Sequence, residues 1–342
     1  MSPAAIPPLV TVVIPVFNQK EDFLRQCIES VLCQDYPNLE VIVSDNHSDN
    51  GSGDVIHSYA DPRLRVIRPP RHLPMVQHWA FAASHARGDY LSMMGSDDWA
   101  EPGWLTTIMP ELASRPTASF AYPNLILYFQ KNSTTQPARN EAIPTQLMPR
   151  ADAARLVIEW TSHMFSWWIV GAVIRSDDYF AVSGIARYAT IHNGDYPLSL
   201  GLLTRGDALY VQQKLVNYRI WSEAEGKSDA RRQAIIMEDM IRILACIQTD
   251  QPVKSLCKQS GWRIGRIRRR FVMLALTWSS PLATGSGATA DERKRVIESL
   301  ATLMSVRISP RYIMAPLFVA MKLFLRLAPP SLKRFTRRLL GV

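Results

Sequence analysis

Three polar clusters in this chain each follow a short apolar run. Val10-Thr-Val-Val-Ile-Pro-Val16 leads into Phe17-Asn18-Gln19, and Glu40-Val-Ile-Val-Ser44 leads into Asp45-Asn-His-Ser-Asp49. Asp89-Tyr-Leu-Ser-Met-Met94 leads into Gly95-Ser96-Asp97-Asp98. Polar turns at the C-terminal ends of neighbouring strands are how an open parallel sheet builds a ligand crevice. The chemistry they suggest is nucleotide binding with a metal. Asp45 can accept a hydrogen bond from a base N–H or a ribose hydroxyl, and the Pro15-Val16-Phe17-Asn18 loop can press on the face of the base. Asp97 offers the hard oxygen that Mg or Mn takes when it bridges a carboxylate to diphosphate oxygens. Each has a plainer reading. Asp45 can cap its own turn through its side chain, and Asp97-Asp98 can be a solvated turn that caps the helix after Pro102.

The ordered set resembles the family 2 glycosyltransferases of the GT-A fold, over about residues 10 to 222. The matching pieces are Val12-Val-Ile-Pro-Val-Phe-Asn18, Ser44-Asp45-Asn46-His47-Ser48-Asp49, and Ala86-Arg-Gly-Asp-Tyr90 before Ser96-Asp97-Asp98-Trp99. Gly194-Asp195-Tyr196 and Asn217-Tyr218-Arg219 follow. The resemblance implies an α/β protein with a Rossmann-like, open, mainly parallel sheet flanked by helices. It also implies sugar transfer from a nucleotide-diphosphate donor to a hydroxyl acceptor by single displacement with inversion.

Residue by residue, the resemblance makes Asp97 the second, metal-holding carboxylate of an Asp-x-Asp pattern whose first position is Gly95. Ser96 can then take over a ribose contact. Asp195 corresponds to the base that takes the acceptor's proton, with Gly194 where the family has Glu. A carboxylate in that role needs hydrogen-bond reach of the hydroxyl and a pKa raised by partial burial. It can also be the N-cap of its helix without conflict. Trp221 stands where the family often has a His. Arg219 can meet a phosphate as a fixed charge or form a structural ion pair. Asp98, Trp99 and Trp168 are further candidates for acceptor or phosphate contacts, and Trp99, Trp104, Trp167 and Trp168 can stack on sugars or fill the core. The departures at Gly95, Gly194 and Trp221 support a rival reading, an inactive nucleotide-sugar-binding homologue that scaffolds a membrane pathway.

The elements that must carry these residues are legible from periodicity. Phe23, Leu24, Cys27, Ile28, Val31 and Leu32 draw a helical stripe over 19–34, with Asn18 and Glu21 forming a capping-box-like start. Strand, helix and strand make a βαβ unit with a right-handed crossover. Further expectations are a strand at 63–68, a helix over 75–86 closed by Gly88 as C-cap, and a helix over 101–115. Strand material is expected at 119–129, 169–174 and 208–211, a long polar loop at 131–149, and a helix over 195–203. Helices are expected at 234–247, 264–278, 291–305 and 312–327.

The charge is uneven. The net charge is +9, but residues 254–342 hold 18 Lys and Arg against 3 Asp and Glu, +15, so the remainder is −6. We therefore expect a catalytic domain at 1–230 and a basic helical C-terminal region at 231–342. Within residues 311–327 the longest uncharged stretch is about ten residues, short of the ~20 a bilayer span needs. Its cationic and apolar segments suit a helix lying on an anionic membrane surface, or a helix pair packed on the body with a solvated basic face. A lipid-surface location suits a lipid-linked or cell-surface glycan precursor as acceptor. The N-terminal apolar run alternates like a strand rather than a signal helix, and Cys27, Cys33, Cys246 and Cys257 lack metal spacing. The expected location is cytoplasmic, peripheral on the inner face of the membrane. The pattern lacks the features of a nucleic-acid reader, and the first turn lacks Gly-x-Gly-x-x-Gly, which sets aside a dinucleotide oxidoreductase.

Overall fold

The computed structural model describes residues 6–138, 142–159, 169–190, 194–220, 230–263 and 265–267. The first half is built on β1 (Val10–Val16), α1 (Glu21–Leu32), β2 (Leu39–Asp45), α2 (Ser52–His57), β3 (Leu64–Ile67), α3 (Met75–Ala83) and β4 (Tyr90–Met93). Then come β5 (Trp99–Ala100), α4 (Trp104–Ala113), β6 (Ala118–Phe129), β7 (Thr134–Pro137), β8 (Gln146–Met148) and α5 (Arg150–Glu159). β9 (Val173–Arg175), α6 (Ser176–Ala181), α7 (Asp195–Arg205), β10 (Asp207–Ile220), α8 (Ala230–Thr249) and α9 (Gln251–Gln259) complete the order.

The strands form one sheet in the order β3-β2-β1-β4-β9-β6-β10-β5, with β7 beside β6 and β8 beside β10. β9 is antiparallel to both β4 and β6, while β1 is parallel to β2 and β4, β2 to β3, and β10 to β6. It follows that β3, β2, β1, β4, β6 and β10 all point the same way. β1 is buried along its whole length, as expected for a strand covered on both faces. Leu24, Cys27, Ile28 and Val31 of α1 and Trp104 of α4 are buried in one core with it, and Phe23 completes the buried α1 stripe. This is the open, mainly parallel, helix-flanked sheet expected from the sequence.

Several local expectations change. Asn18 does not cap α1; it sits at φ 47°, and its side chain accepts from the Asp49 backbone N–H at 2.9 Å instead. α3 stops at Ala83, so Gly88 is not its C-cap. Gly88 is there because β1 and β4 close on it: a Cβ would lie 2.7 Å from Leu9 O, Thr11 N and Tyr90 O. The 131–149 segment is not all loop, since it holds β7, which pairs with β6, and β8, which pairs with β10. β10 runs from Asp207 to Ile220, past the expected end at 211, through register shifts between Val211 and Val216. α2, α5, α6 and α9 were not anticipated. The expected helices at 291–305 and 312–327, and nearly all of 264–278, lie outside the described residues.

The chain divides into two compact units, Met1–Gly226 with Cys246–Trp262, and Lys227–Ala245 with Arg263–Val342. Among the described residues no helix is long and apolar enough to cross a membrane.

Candidate functional site

The crevice begins where β1 and β2 end side by side. Their register pairs Val16 with Asp45, so the loops after both strands leave from the same edge. Asn18 N donates to Ser48 Oγ at 3.0 Å, which with the Asn18–Asp49 bond laces the two loops together. Phe17 is half exposed, with its ring 4.6 Å from that of His72. Pro15 pairs with Ser44 in the strand register. Asp45 is buried to 5% exposure. Its Oδ1 accepts from Ser48 N at 3.0 Å, and its Oδ2 faces Arg68 Nε at 3.5 Å. The turn-capping role is thus real, and the second oxygen has Arg68, which is 54% exposed, beside it. Beneath it, His78 on α3 meets Ser44 Oγ at 2.9 Å. Burial pushes the His78 imidazole down to about 4, so at neutral pH it is an uncharged core residue.

β4 delivers the second acidic turn beside β1, since Val13 pairs with Met93. Gln19 Nε2 donates to Ser96 Oγ at 3.0 Å, joining the first loop to this turn. Asp98 turns inward and is 2% exposed. Burial, with Asp97 next to it, raises its carboxyl well above the ordinary range, opposed by the Arg219 N–H. That N–H donates to Asp98 Oδ1 at 2.8 Å. The space Asp98 takes explains Gly95: a Cβ there would lie 2.5 Å from Asp98 Oδ2 and 3.2 Å from Asp97 Oδ1.

Arg219 holds this turn from the far end of the sheet. β5 follows the acidic turn directly and pairs antiparallel with β10, Trp99 opposite Asn217. That register brings Arg219 next to Asp97 and Asp98. Its Nε donates to the Asp97 carbonyl at 2.7 Å, and its Nη groups donate to Gln26 and Gln130. The guanidinium lies 3.9 Å from the Phe23 ring centroid and 4.6 Å from that of Trp99. Trp99 also packs edge-on to Tyr128 at 5.2 Å. Arg219 is 6% exposed, so the structure uses it as a brace of the acidic turn. Trp104 is fully buried and donates to Gly171 O at 3.0 Å, a core role. Trp167, Trp168 and Trp221 lie outside the described residues.

Asp195 is the first residue of α7 and is half-buried. α7 packs on β6 and β10 and ends at Arg205, just before β10 starts beside Ala118 at the beginning of β6. Its C-terminal end therefore lies at the start of β10, with Asp195 at the other end of the helix. Burial pushes the Asp195 carboxyl up to about 6, held back by backbone N–H bonds from Tyr196 and from Asp195 itself. Gly194 is required by packing, since a Cβ would lie 2.5 Å from Ile185 Cγ1.

For a divalent metal the donor set is sparse. Among the described residues no group of three or more His, Cys, Asp or Glu side chains could hold a metal ion. Asp98 is buried away beneath the turn, and Asp97 is the partly exposed carboxylate there. Magnesium-type ions use one or two carboxylates, several waters and substrate phosphates. Among the described residues this turn offers one partly exposed carboxylate, Asp97, rather than a protein cage for an ion. Gln19, Gln26, Gln130 and Ile185 were not anticipated; each acts through a partner remote in sequence, and a lone Gln or Ile carries no local signal.

Residues 11–171 match the family model described as glycosyl transferase family 2. Similar curated proteins include glycosyltransferase GlyG of Streptococcus pneumoniae, 28% identical over 109 residues, 31% of this chain and 36% of that protein. Chondroitin synthase of Pasteurella multocida is 28% identical over 117 residues, 34% of this chain and 12% of that protein. The chain thus spans well under half the length of these relatives. Among solved structures, TarS 1-349 of S. aureus in complex with UDP-GlcNAc aligns with a TM-score of 0.63 at 12% identity, covering 87% of this chain and 81% of that one.

Proposed function

We propose, from the premise that residues 11–171 are a glycosyl transferase family 2 domain, that this chain is an inverting glycosyltransferase using a nucleotide-diphosphate sugar. The observation that carries this reading is Asp195: a half-buried carboxyl with its pKa pushed up to about 6, at the head of α7. A general base is most effective with a pKa near the working pH.

In this reading the Asp45 carboxylate and the exposed Phe17 ring hold the nucleoside, with Pro15, Asn18 and Ser96 shaping the pocket around it. A divalent Mg or Mn ion held by Asp97 would neutralise charge on the diphosphate. Asp195 accepts the acceptor hydroxyl's proton as that oxygen bonds to the anomeric carbon. The bond from that carbon to the diphosphate breaks on the opposite side, and the diphosphate leaves with the electron pair. One displacement gives one inversion. The departures at Gly95 and Gly194 do not argue for inactivity, because Asp98 and Ile185 fill the space a side chain would need.

The acceptor we propose is a lipid-linked or cell-surface glycan precursor. It would be reached with the basic region from 254 on held to the inner face of the membrane by about 1 kcal/mol for each Lys or Arg near anionic lipid. A thermal-shift panel of UDP, GDP, CDP and dTDP, each with and without manganese, tests the donor site. The UDP-GlcNAc bound to the structural neighbour puts UDP first in that panel. Manganese-dependent stabilisation by one nucleotide, lost in Asp97→Ala, supports the reading. Stabilisation by none of them overturns the donor site, for this reading and for a nucleotide-sugar-binding homologue alike, and leaves a scaffold without donor binding; stabilisation without Asp195-dependent turnover returns the inactive homologue.

A further inference from the structure

The backbone just before Asp195 has no room to spare. A Cβ on Gly194 would lie 2.5 Å from Ile185 Cγ1 and 3.0 Å from the Ile185 carbonyl oxygen. The short turn Gly184–Ala186 therefore presses directly on the backbone from which Asp195 projects. Ile185 N donates to the Tyr179 hydroxyl at 3.2 Å, which ties the front of that turn to α6.

The two residues after the turn both reach one carboxylate. Arg187 Nη2 donates to Asp250 Oδ2 at 2.5 Å, and the Tyr188 hydroxyl donates to the same oxygen at 2.9 Å. Arg187 Nη1 also donates to Val182 O at 2.8 Å. Its Cδ would be 3.1 Å from a Cβ on Gly201 of α7. Asp250 is itself fixed, because its Oδ1 accepts from Val253 N at 3.2 Å as the N-cap of α9. The ion pair is largely buried, at 14% and 13% side-chain exposure. A buried ion pair is weak evidence of net stabilisation. What this one does fix is geometry, through donors of defined direction on both Arg187 and Tyr188.

Resting on the reading of Asp195 as the base, we propose that Asp250 is a positioning residue for it. By holding Arg187 and Tyr188, the Asp250 carboxylate clamps the turn against which Gly194 packs and so sets where the Asp195 carboxyl stands. Misplacing a reacting group by an ångström costs about a hundredfold in rate, so a clamp three contacts away has leverage on turnover.

The test follows the Asp195 carboxyl by ¹³C NMR titration of the full chain without ligand, its resonance assigned by its loss in Asp195→Asn. Asp250→Ser keeps a capping hydroxyl for α9 but is too short to reach Arg187. It should move the Asp195 midpoint by about half a unit or more, a difference of about 0.7 kcal/mol between its two protonation states. Asp250→Asn, which can still accept from Arg187 and Tyr188, should move it less, and Tyr188→Phe should move it in the same direction as Asp250→Ser. The UDP-induced thermal shift serves as a control that should stay at the wild-type value. If Asp250→Ser does not fold, Asp250→Asn and Tyr188→Phe carry the test. An unshifted midpoint in the folded variants, or a midpoint shift that comes with loss of the UDP response, overturns the positioning role. The titration needs no substrate, so a wild-type protein that turns over no donor overturns the proposed activity and leaves this result standing.

Discussion

In its proposed role as the base, Asp195 joins function and stability with opposite signs. Its carboxyl titrates at about 6 in the folded protein against 3.8 as a free group, because burial disfavours the charge. A raised carboxyl binds its proton more tightly when folded. Its favourable contribution is therefore complete below the unfolded value and is lost as pH rises through about 6. Near neutral pH the ionised Asp195 destabilises the protein. Asp195→Asn should raise the denaturation midpoint at about pH 7.5, leave it unchanged well below about pH 4, and lower transfer by about 10² to 10⁴-fold. Urea melts at both pH values, with a rate assay, check all three. In the wild type, kcat/KM should fall as pH drops through about 6, because the protonated base cannot accept a proton. Gly95 makes the complementary point. Placing an acid there with Gly95→Asp should not produce a stronger manganese response, because its Cβ would meet Asp98 Oδ2 at 2.5 Å. Overpacking of that kind costs about 1 to 3 kcal/mol, readable as a lower urea midpoint with no gain in manganese response.

The acidic turn depends on elements far apart in the chain. β5 and β10 pair across more than a hundred positions, Trp99 opposite Asn217, and the brace from Arg219 follows from that register. Arg219 is stacked on Phe23 from α1 and bonded to Gln26 from the same helix and Gln130 after β6. Arg219→Lys keeps the charge and loses the planar fork. It should lower stability by about 1 to 3 kcal/mol through unpaired Gln26 and Gln130 amides and the lost stack. It should also weaken nucleotide stabilisation, because the Asp97 carbonyl loses its anchor. The paired measurement is the melting midpoint with and without UDP and manganese. Retention of both values would mean that the turn holds its shape without the brace. The β1–α1–β2 unit was readable beforehand because its stripe and strands are local patterns. β10 beyond Val211 was not, because Gln212, Gln213 and Lys214 are exposed and interrupt the apolar alternation.

The uneven charge distribution gives the full chain its remaining prediction. With +15 on residues 254–342 and −6 on the rest, the intact protein should co-float with vesicles containing anionic lipid. It should be released as salt shortens the Debye length from ~10 Å at 0.1 M to ~3 Å at 1 M. Binding to neutral vesicles alone, or none to either kind, removes the case for a membrane-surface acceptor. The first compact unit is assembled from more than its contiguous core, since Cys246–Trp262 clusters with Met1–Gly226. Within that unit, Asp250 reaches Arg187 and Tyr188, a partnership that neither segment's composition announces.

The sequence was sufficient for the fold class, the strand-end placement of Asp45 and Asp97, and the helix that begins at Asp195. These follow from short-range periodicity and from acids that immediately follow apolar runs, both of which are local along the chain. It could not say which acid of the Asp97-Asp98 pair is outward, why Gly95 and Gly194 lack side chains, or what Arg219 does. Those answers are set by contacts between residues remote in sequence: Asp98 fills the space above Gly95, Ile185 fills the space beside Gly194, and two aromatic rings enclose the Arg219 guanidinium. Burial and steric exclusion arise only once the sheet brings those segments together.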